Sequence, residues 1–427
     1  MSLRLENKSN GAIGRLRRNL ARLTTGSVLS QAILALSTPL LTRLYAPDAF
    51  GVAALFAAAY ALLIPLVTLK FDQVVVQPQS SRIAASIGAL VMMLATVNCS
   101  ILGLVFFAWY VFSQGQHHLV FFFLPVALWI GAAYTLMQQW SSRLSNYTYY
   151  ARSQVIGAIC NVCLCVGAAA AFSPDSVYIV LGFVAGIGVA LGYTVWGFKE
   201  WPYSVRVRRL RVFKRQILSY KKFPLFVLPT SLVIVVGANG VPFVISHFYS
   251  TAEVGIFAIA NRVLLIPAAI IGGSLAEAVR SEFASRQRAR ERVTPVFINI
   301  IIPIIALAGG VFAIIYLIPS SAFQFVFGQD YGDTGGIVQS LLLATFSQFI
   351  CAPFVYVFAI LREPGRGLLS QILITLLPLC ALITFASRGN PLSEMLFIYS
   401  LCTFAGGVVM LALAYRECKI YDKNRRA

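Results

Sequence analysis

Charged side chains are scarce in this sequence, so each one that falls inside an apolar stretch is a candidate for chemistry. Of 427 residues, 34 are Lys or Arg and 15 are Asp or Glu. Arg262 is the sharpest case. It stands nine residues past Glu253 in a run that is otherwise apolar, roughly 13 Å along a helix from that carboxylate. In a low-dielectric setting a guanidinium favours a planar anion such as phosphate or carboxylate, which it grips with a fork of N–H donors. Arg262 is therefore a candidate residue for binding an anionic headgroup. The other reading of the position is structural: an arginine tied to backbone carbonyls or to a carboxylate on a neighbouring helix. Lys70 and Asp72 form a second candidate site. They stand where the second apolar run should end, yet Val74, Val75 and Val76 follow. Either the helix continues with both charges facing a vestibule, or it ends and the charges snorkel to the surface. Arg43 closes the first apolar run, where it can serve as an interfacial anchor or line a cavity.

Other constellations carry less. Cys160, Cys163 and Cys165 mimic metal-ligand spacing, but they lie in an apolar run with no second cluster, so packing is expected. His117, His118 and His247 fit no metal site. No cofactor or metal is expected. No carboxylate has to sit at the middle of a bilayer, where proton-relaying pumps usually keep one. Any ion dependence is therefore expected from helix-end groups such as Asp72, or from membrane potential acting on an anionic substrate.

These residues must be positioned by membrane helices. The chain is 59% hydrophobic and only 11% charged, more apolar surface than a soluble protein of this size hides from water. Only helices and closed barrels satisfy their backbone groups in lipid, and barrels read as short alternating segments. Here the apolar runs fall near 24–44, 50–69, 83–112, 119–140, 153–172, 177–197, 223–246, 253–276, 295–318, 334–360, 367–386 and 392–414. That predicts an all-α membrane protein of about twelve spans. With the N-terminus cytoplasmic, every Lys and Arg except Arg43, Arg262 and Arg388 falls on the cytoplasmic side, as the positive-inside rule requires. The same asymmetry accounts for the net charge of +19 without a nucleic-acid partner. The basic N-terminus resembles a signal peptide, but the run continues past Pro39 and a second follows at once, so a retained first helix is expected. The run at 253–276 sorts into a small face with Gly255, Ala258, Ala269 and Gly273 beside Arg262, and a bulky face with Ile256, Phe257, Leu264 and Ile271. If the bulky face meets lipid, Arg262 points into a cavity or packed protein.

The longest connection, 199–222, divides the chain into an N-terminal unit, 1–198, and a C-terminal unit, 223–427. Its basic residues and intervening apolar ones suit either an interfacial segment on anionic lipid or a plain cytoplasmic loop. Leu44-Tyr45-Ala46-Pro47-Asp48-Ala49-Phe50-Gly51 lines up with Phe248-Tyr249-Ser250-Thr251-Ala252-Glu253-Val254-Gly255 at an offset of 204 residues. Both follow one apolar run and open the next, which fits a parallel repeat. By that offset Arg262 corresponds to Ala58. In the sixth run, Gly182, Gly186, Gly188 and Gly192 predict close helix packing.

The segment Leu36 to Gly51 resembles the opening of bacterial O-antigen and capsular polysaccharide flippases, members of the multidrug, oligosaccharidyl-lipid and polysaccharide exporter superfamily. So do Leu69-Lys70-Phe71-Asp72 with Pro78, Phe223-Pro224, Val254-Gly255-Ile256-Phe257-Ala258, Asn261-Arg262 and Pro267. The resemblance implies two six-helix lobes around a cationic central cavity in the bacterial inner membrane, both termini cytoplasmic. It also implies alternating access and a polyprenyl-diphosphate-linked oligosaccharide as substrate. Arg262, Lys70, Asp72 and Arg43 are carried over as substrate-binding positions. The partners it implies are the lipid-linked oligosaccharide, the bilayer and a polysaccharide polymerase. A cation-coupled small-molecule exporter of the same fold is the near alternative, though its ligands would favour a buried Asp or Glu. A polymerase or ligase is the enzymatic alternative, and would need a larger outer segment than 319–333.

Overall fold

The computed structural model describes residues 25–112, 119–198, 210–221, 223–267, 272–361 and 363–424. Among them there are helices and turns and no strand. The helices are α1 (Thr25–Leu44), α2 (Pro47–Thr68), α3 (Ser81–Phe112), α4 (Leu124–Arg143), α5 (Thr148–Ala171) and α6 (Ser176–Gly197), then α7 (Leu210–Ser219), α8 (Leu228–Asn239), α9 (Val241–Phe248), α10 (Thr251–Pro267) and α11 (Gly273–Arg288), then α12 (Thr294–Leu317), α13 (Ser320–Phe327), α14 (Thr334–Cys351), α15 (Val355–Ile360), α16 (Pro364–Ala386) and α17 (Leu392–Asn424). Among the described residues, ten helical spans are long and apolar enough to cross a membrane, and an eleventh follows if Val212–Ser219 and Phe223–Asn239, bent by 49°, count as one. The remaining expected span, 253–276, is present as α10, which has 17 residues and carries Glu253 and Arg262.

Proline position explains where the long runs break. Pro65, Pro303 and Pro378 sit inside uninterrupted helices, where neighbouring helices tolerate them in lipid. Pro242, by contrast, lies in the first turn of α9, just past Gly240, and splits the expected seventh span there. Pro353 lies in a 3-10 turn, 352–354, that separates α14 from α15. In both cases the proline falls at the start of a new helix, where its missing N–H costs nothing.

The chain forms two compact units, Met1–Ser37 with Phe56–Leu232, and Thr38–Leu55 with Val233–Ala427. The core of the first joins Phe71, Val74 and Val75 to Ile87, Leu90, Leu136 and Trp140. In the second, Phe283, Tyr331, Phe354, Phe358 and Met395 are fully buried. Large apolar side chains such as Leu104, Phe107, Trp196, Ile302 and Leu317 are exposed, the pattern of a surface solvated by lipid.

Within the first unit, α5 and α6 pack at backbone distance. A Cβ on Gly186 would stand 2.7 Å from the Gly157 carbonyl, and one on Gly182 would stand 2.6 Å from Cys165 Sγ. Gly188 and Gly192, expected to join them, have no neighbour within 4 Å. Residues 199–209 and 222 of the basic connection, with Arg206, Arg208 and Arg209, lie outside the described residues. The connection's α7 buries Phe213 and donates from Gln216 Nε2 to Ser86 Oγ on α3 at 2.6 Å. Its Lys214 and Arg215 are exposed.

Candidate functional site

In the second unit, the site is built where the start of α2 crosses the start of α10. A Cβ on Gly51 would stand 1.9 Å from the Thr251 carbonyl, and a Cβ on Gly255 would stand 2.0 Å from the Pro47 carbonyl. Only glycine lets the two backbones approach this closely. The contact is reciprocal: Pro47 and Thr251, and likewise Gly51 and Gly255, are 204 residues apart. A local two-fold relation between the helices produces such an exchange, so the repeat seen in the sequence has a physical counterpart. Around it, Tyr45 packs edge-on to Phe50 and Phe50 to Tyr331. The Tyr331 hydroxyl donates to the Tyr45 carbonyl at 2.9 Å.

Two turns along α10 from this crossing, Arg262 is exposed, and its Nη1 donates to Thr38 Oγ1 at 3.0 Å. Thr38 is buried, 2% exposed, so a fixed hydroxyl on α1 holds one arm of the guanidinium. The bulky face does not meet lipid as expected, while Gly255 of the small face packs against protein. Ile256, Phe257 and Leu264 are buried, while Arg262, Leu265 and Ile266 are exposed. The bulky residues fill this unit's own core, which rewards apolar area as lipid does. Arg43 is also exposed, with Nη2 donating to the Phe325 carbonyl at 2.9 Å.

Lys70 and Asp72 belong to the other unit. Here α2 ends at Thr68, because Leu69 and Lys70 adopt left-handed backbone, φ 48° and 59°. The helix does not continue through the valines, as one reading of the sequence had it. Residues Phe71–Val76 instead form a 3-10 segment that buries Phe71, Val74 and Val75 in the core. Asp72 goes with them, 2% exposed, and accepts from Thr68 Oγ1 at 2.9 Å. Burial raises its pKa above the ordinary carboxylate value, with the Thr68 hydroxyl, the Lys70 charge and local backbone N–H groups opposing. Lys70 is half-buried. Arg143, which charge counting treats only as a cytoplasmic marker, clamps this segment: its guanidinium donates to the carbonyls of Val75, Pro78 and Gln79. No short motif predicts that fork.

The structure therefore brings Arg43 and Arg262 into one unit and Lys70 and Asp72 into the other. Thr38 and Arg143 went unread in the sequence, because a threonine before proline and an arginine at a helix end are common and carry no spacing signal.

The fold is that of the multidrug, oligosaccharidyl-lipid and polysaccharide exporter superfamily. The chain is similar to an inward-facing multidrug resistance MATE family transporter of that superfamily, at 13% identity and TM-score 0.64, over 96% of this chain and 95% of the other. It is also similar to a Pyrococcus furiosus transporter of the superfamily, described as having a binding pocket of reversed polarity, at 15% identity and TM-score 0.62, over 96% and 97% of the two chains. Residues 40–334 match the family described as polysaccharide biosynthesis protein, and the chain belongs to that family. No curated protein matches it.

Proposed function

We propose that this protein flips a polyprenyl-diphosphate-linked oligosaccharide across the bacterial inner membrane during synthesis of surface polysaccharide. The observation that carries the reading is Arg262: a permanent cation in the apolar run of a membrane protein, exposed, with one arm braced on the buried Thr38 hydroxyl. A charge in that setting costs at least about 2.5 kcal/mol on insertion scales, and a diphosphate offsets that cost with two anionic groups shaped for a guanidinium fork. The polysaccharide biosynthesis family supports the sugar half of the substrate. The superfamily fold supports a cycle in which a headgroup binds on one side, the two lobes rock, and it is released on the other while the lipid tail stays in the bilayer. Arg43 adds a second cation to the same unit. Lys70 and Asp72 are kept as candidate substrate-binding positions, and any ion dependence is assigned to helix-end groups such as Asp72 or to membrane potential acting on the anionic headgroup. Both termini and 199–222 face the cytoplasm. The chain acts as a transporter and makes or breaks no glycosidic bond. The fold likeness to a multidrug transporter favours one second reading, a cation-coupled small-molecule exporter.

The deciding measurement is polysaccharide export normalised to folded protein in the membrane. Arg262→Ala should abolish export while the protein still inserts. Arg262→Lys should keep part of it, because a point charge still attracts phosphate but loses the fork. Normal export per folded molecule in the Ala variant would remove Arg262 from the mechanism.

A further inference from the structure

The first unit contains a cavity of about 300 Å³ among α1, α4, α5 and α6. Its polar lining is Ser27, Ser30, Gln31, Tyr134, Gln154 and Asn161. None of its lining residues is Asp, Glu, Lys, Arg or His. It therefore offers little to an isolated cation or anion, which would need a compensating charge once desolvated. It suits a lipid tail equally badly, because six polar side chains would face hydrocarbon. Hydroxyls and carboxamides instead offer donors and acceptors together, since a carboxamide supplies two donors and one acceptor oxygen and a hydroxyl both.

Much of that capacity is spoken for, and part is not. Ser30 donates to the Ser27 carbonyl at 2.9 Å, and the Tyr134 hydroxyl meets Ser153 Oγ at 3.0 Å. Asn161 Oδ1 accepts only a weak thiol contact from Cys165 at 3.4 Å. Gln154 Oε1 is buried with no hydrogen-bond partner among the described residues. A buried carbonyl oxygen left in that state carries a desolvation penalty, so a donor brought by a ligand would relieve it. The wall also has an aromatic ring. Phe183 is held edge-on by Phe56 and Tyr60 at 6.1 Å and 5.2 Å. Gly157 and Gly186 also line it, with Leu34, Ala158, Ile187 and Ala190, and a Cβ on either glycine would run into the other's carbonyl at 2.7 Å. The close approach of α5 and α6 there fixes the cavity's floor.

We infer that this cavity is a subsite for one neutral sugar ring. Its volume equals roughly ten water-sized groups at about 30 Å³ each, which matches a hexose with its hydroxyls. A sugar presents hydroxyls, each a donor and an acceptor, around its edge, and C–H groups on its faces. Amides and serines answer the edge and Phe183 answers a face. The assignment rests on the reading of the chain as a glycan carrier, and it adds a place where sugar identity is sensed apart from the diphosphate.

The test uses the purified full chain in lipid nanodiscs, titrated with glucose, galactose, mannose and N-acetylglucosamine while thermal unfolding is followed. At least one sugar should raise the midpoint saturably. Gln31→Leu and Asn161→Leu should each weaken that sugar's affinity at least tenfold. Gln31 is exposed, so its variant keeps the fold, and the unliganded midpoint of each variant checks this. Cys163→Ser, exposed on the same α5, should leave the affinity unchanged. A second arm with pyrophosphate, read in wild type and Arg262→Ala, tests the diphosphate reading by itself, so either arm can fail alone. No shift with any of the four sugars, or a shift that survives both Leu substitutions, would overturn the subsite.

Discussion

Asp72 is a carboxylate that the fold keeps from water, in a segment between two spans. Burial is the largest influence on it and pushes its pKa up, against the opposing hydrogen bond from Thr68 and the charge of Lys70. The folded chain therefore binds a proton more tightly than the unfolded chain does. Between the ordinary carboxylate value and the raised one, the folded state holds more protons, so stability falls as pH rises through that window. Above the window the full cost of an ionised, desolvated carboxylate is present. Asp72→Asn removes that cost and keeps an oxygen to accept from Thr68 Oγ1. Thermal unfolding of the purified variant should therefore match or exceed wild type at pH 7.5, with the advantage shrinking as pH falls toward 4. An Asn variant that is less stable, by a margin growing with pH, would mean that the hydrogen bonds outweigh burial. The sequence marked Asp72 as unusual because a charge stood beside three valines. It did not reveal whether the helix carried on or turned, since that choice rests on the left-handed backbone at Leu69 and Lys70, which neither residue type favours. For Arg262 the position was legible, whereas the burial of the bulky residues on the same helix was not. Bulky residues satisfy a protein core and a lipid face alike, so side-chain size alone could not tell which side of α10 looks outward.

At the scale of elements, the crossing of α2 and α10 is a backbone-to-backbone contact held by two glycines. Its reciprocal form follows from a repeat that the sequence carried as a short motif at constant offset. The offset could be read, while the crossing could not, because one-dimensional spacing says nothing about which backbones meet. The glycines make a sharp prediction. A methyl group at Gly51 or Gly255 would lie about 2 Å from a backbone carbonyl, with no flexible side chain able to yield. Overpacking of this kind costs typically about 1–3 kcal/mol, and rigid backbone on both sides places these sites toward the upper end. Gly51→Ala and Gly255→Ala should each lower the yield of monodisperse protein after detergent extraction. Gly188→Ala, with nothing within 4 Å, should extract as wild type does. Equal yields for all three variants would show that α2 and α10 separate freely, and that the close crossing is not what holds them. The α5–α6 contact teaches the complementary lesson. Four glycines in one helix predicted a packing stripe, but only Gly182 and Gly186 touch a neighbour closely, because Gly188 and Gly192 fall on the other side of the helix.

For the whole molecule, composition was the strongest guide: apolar runs of about twenty residues leave helices in lipid as the fold class. The expected span that holds Arg262 is described as α10, Thr251–Pro267, with two charged residues in an otherwise apolar helix. Orientation is a separate matter and rests on basic residues alone. The pair Phe172 and Lys214 tests it. Phe172 ends α5 and is 62% exposed, in the turn before α6. Lys214 is exposed on α7, after α6. One span, Ser176–Gly197, lies between them, so the two positions must face opposite sides whichever way the protein is inserted. The steep excess of Lys and Arg in 199–222 predicts Lys214 on the cytoplasmic side and Phe172 on the outer one. With the exposed Cys163 and Cys380 replaced by serine to lower the background, Phe172→Cys should react with an impermeant maleimide in intact spheroplasts. Lys214→Cys should react only after the membrane is opened. Reaction of both from outside would remove α6 as a span, and the reverse pattern would invert the protein. In an inverted protein the basic segments would lie on the outer face, against the charge rule, and the headgroup would have to enter from the side on which it should be released.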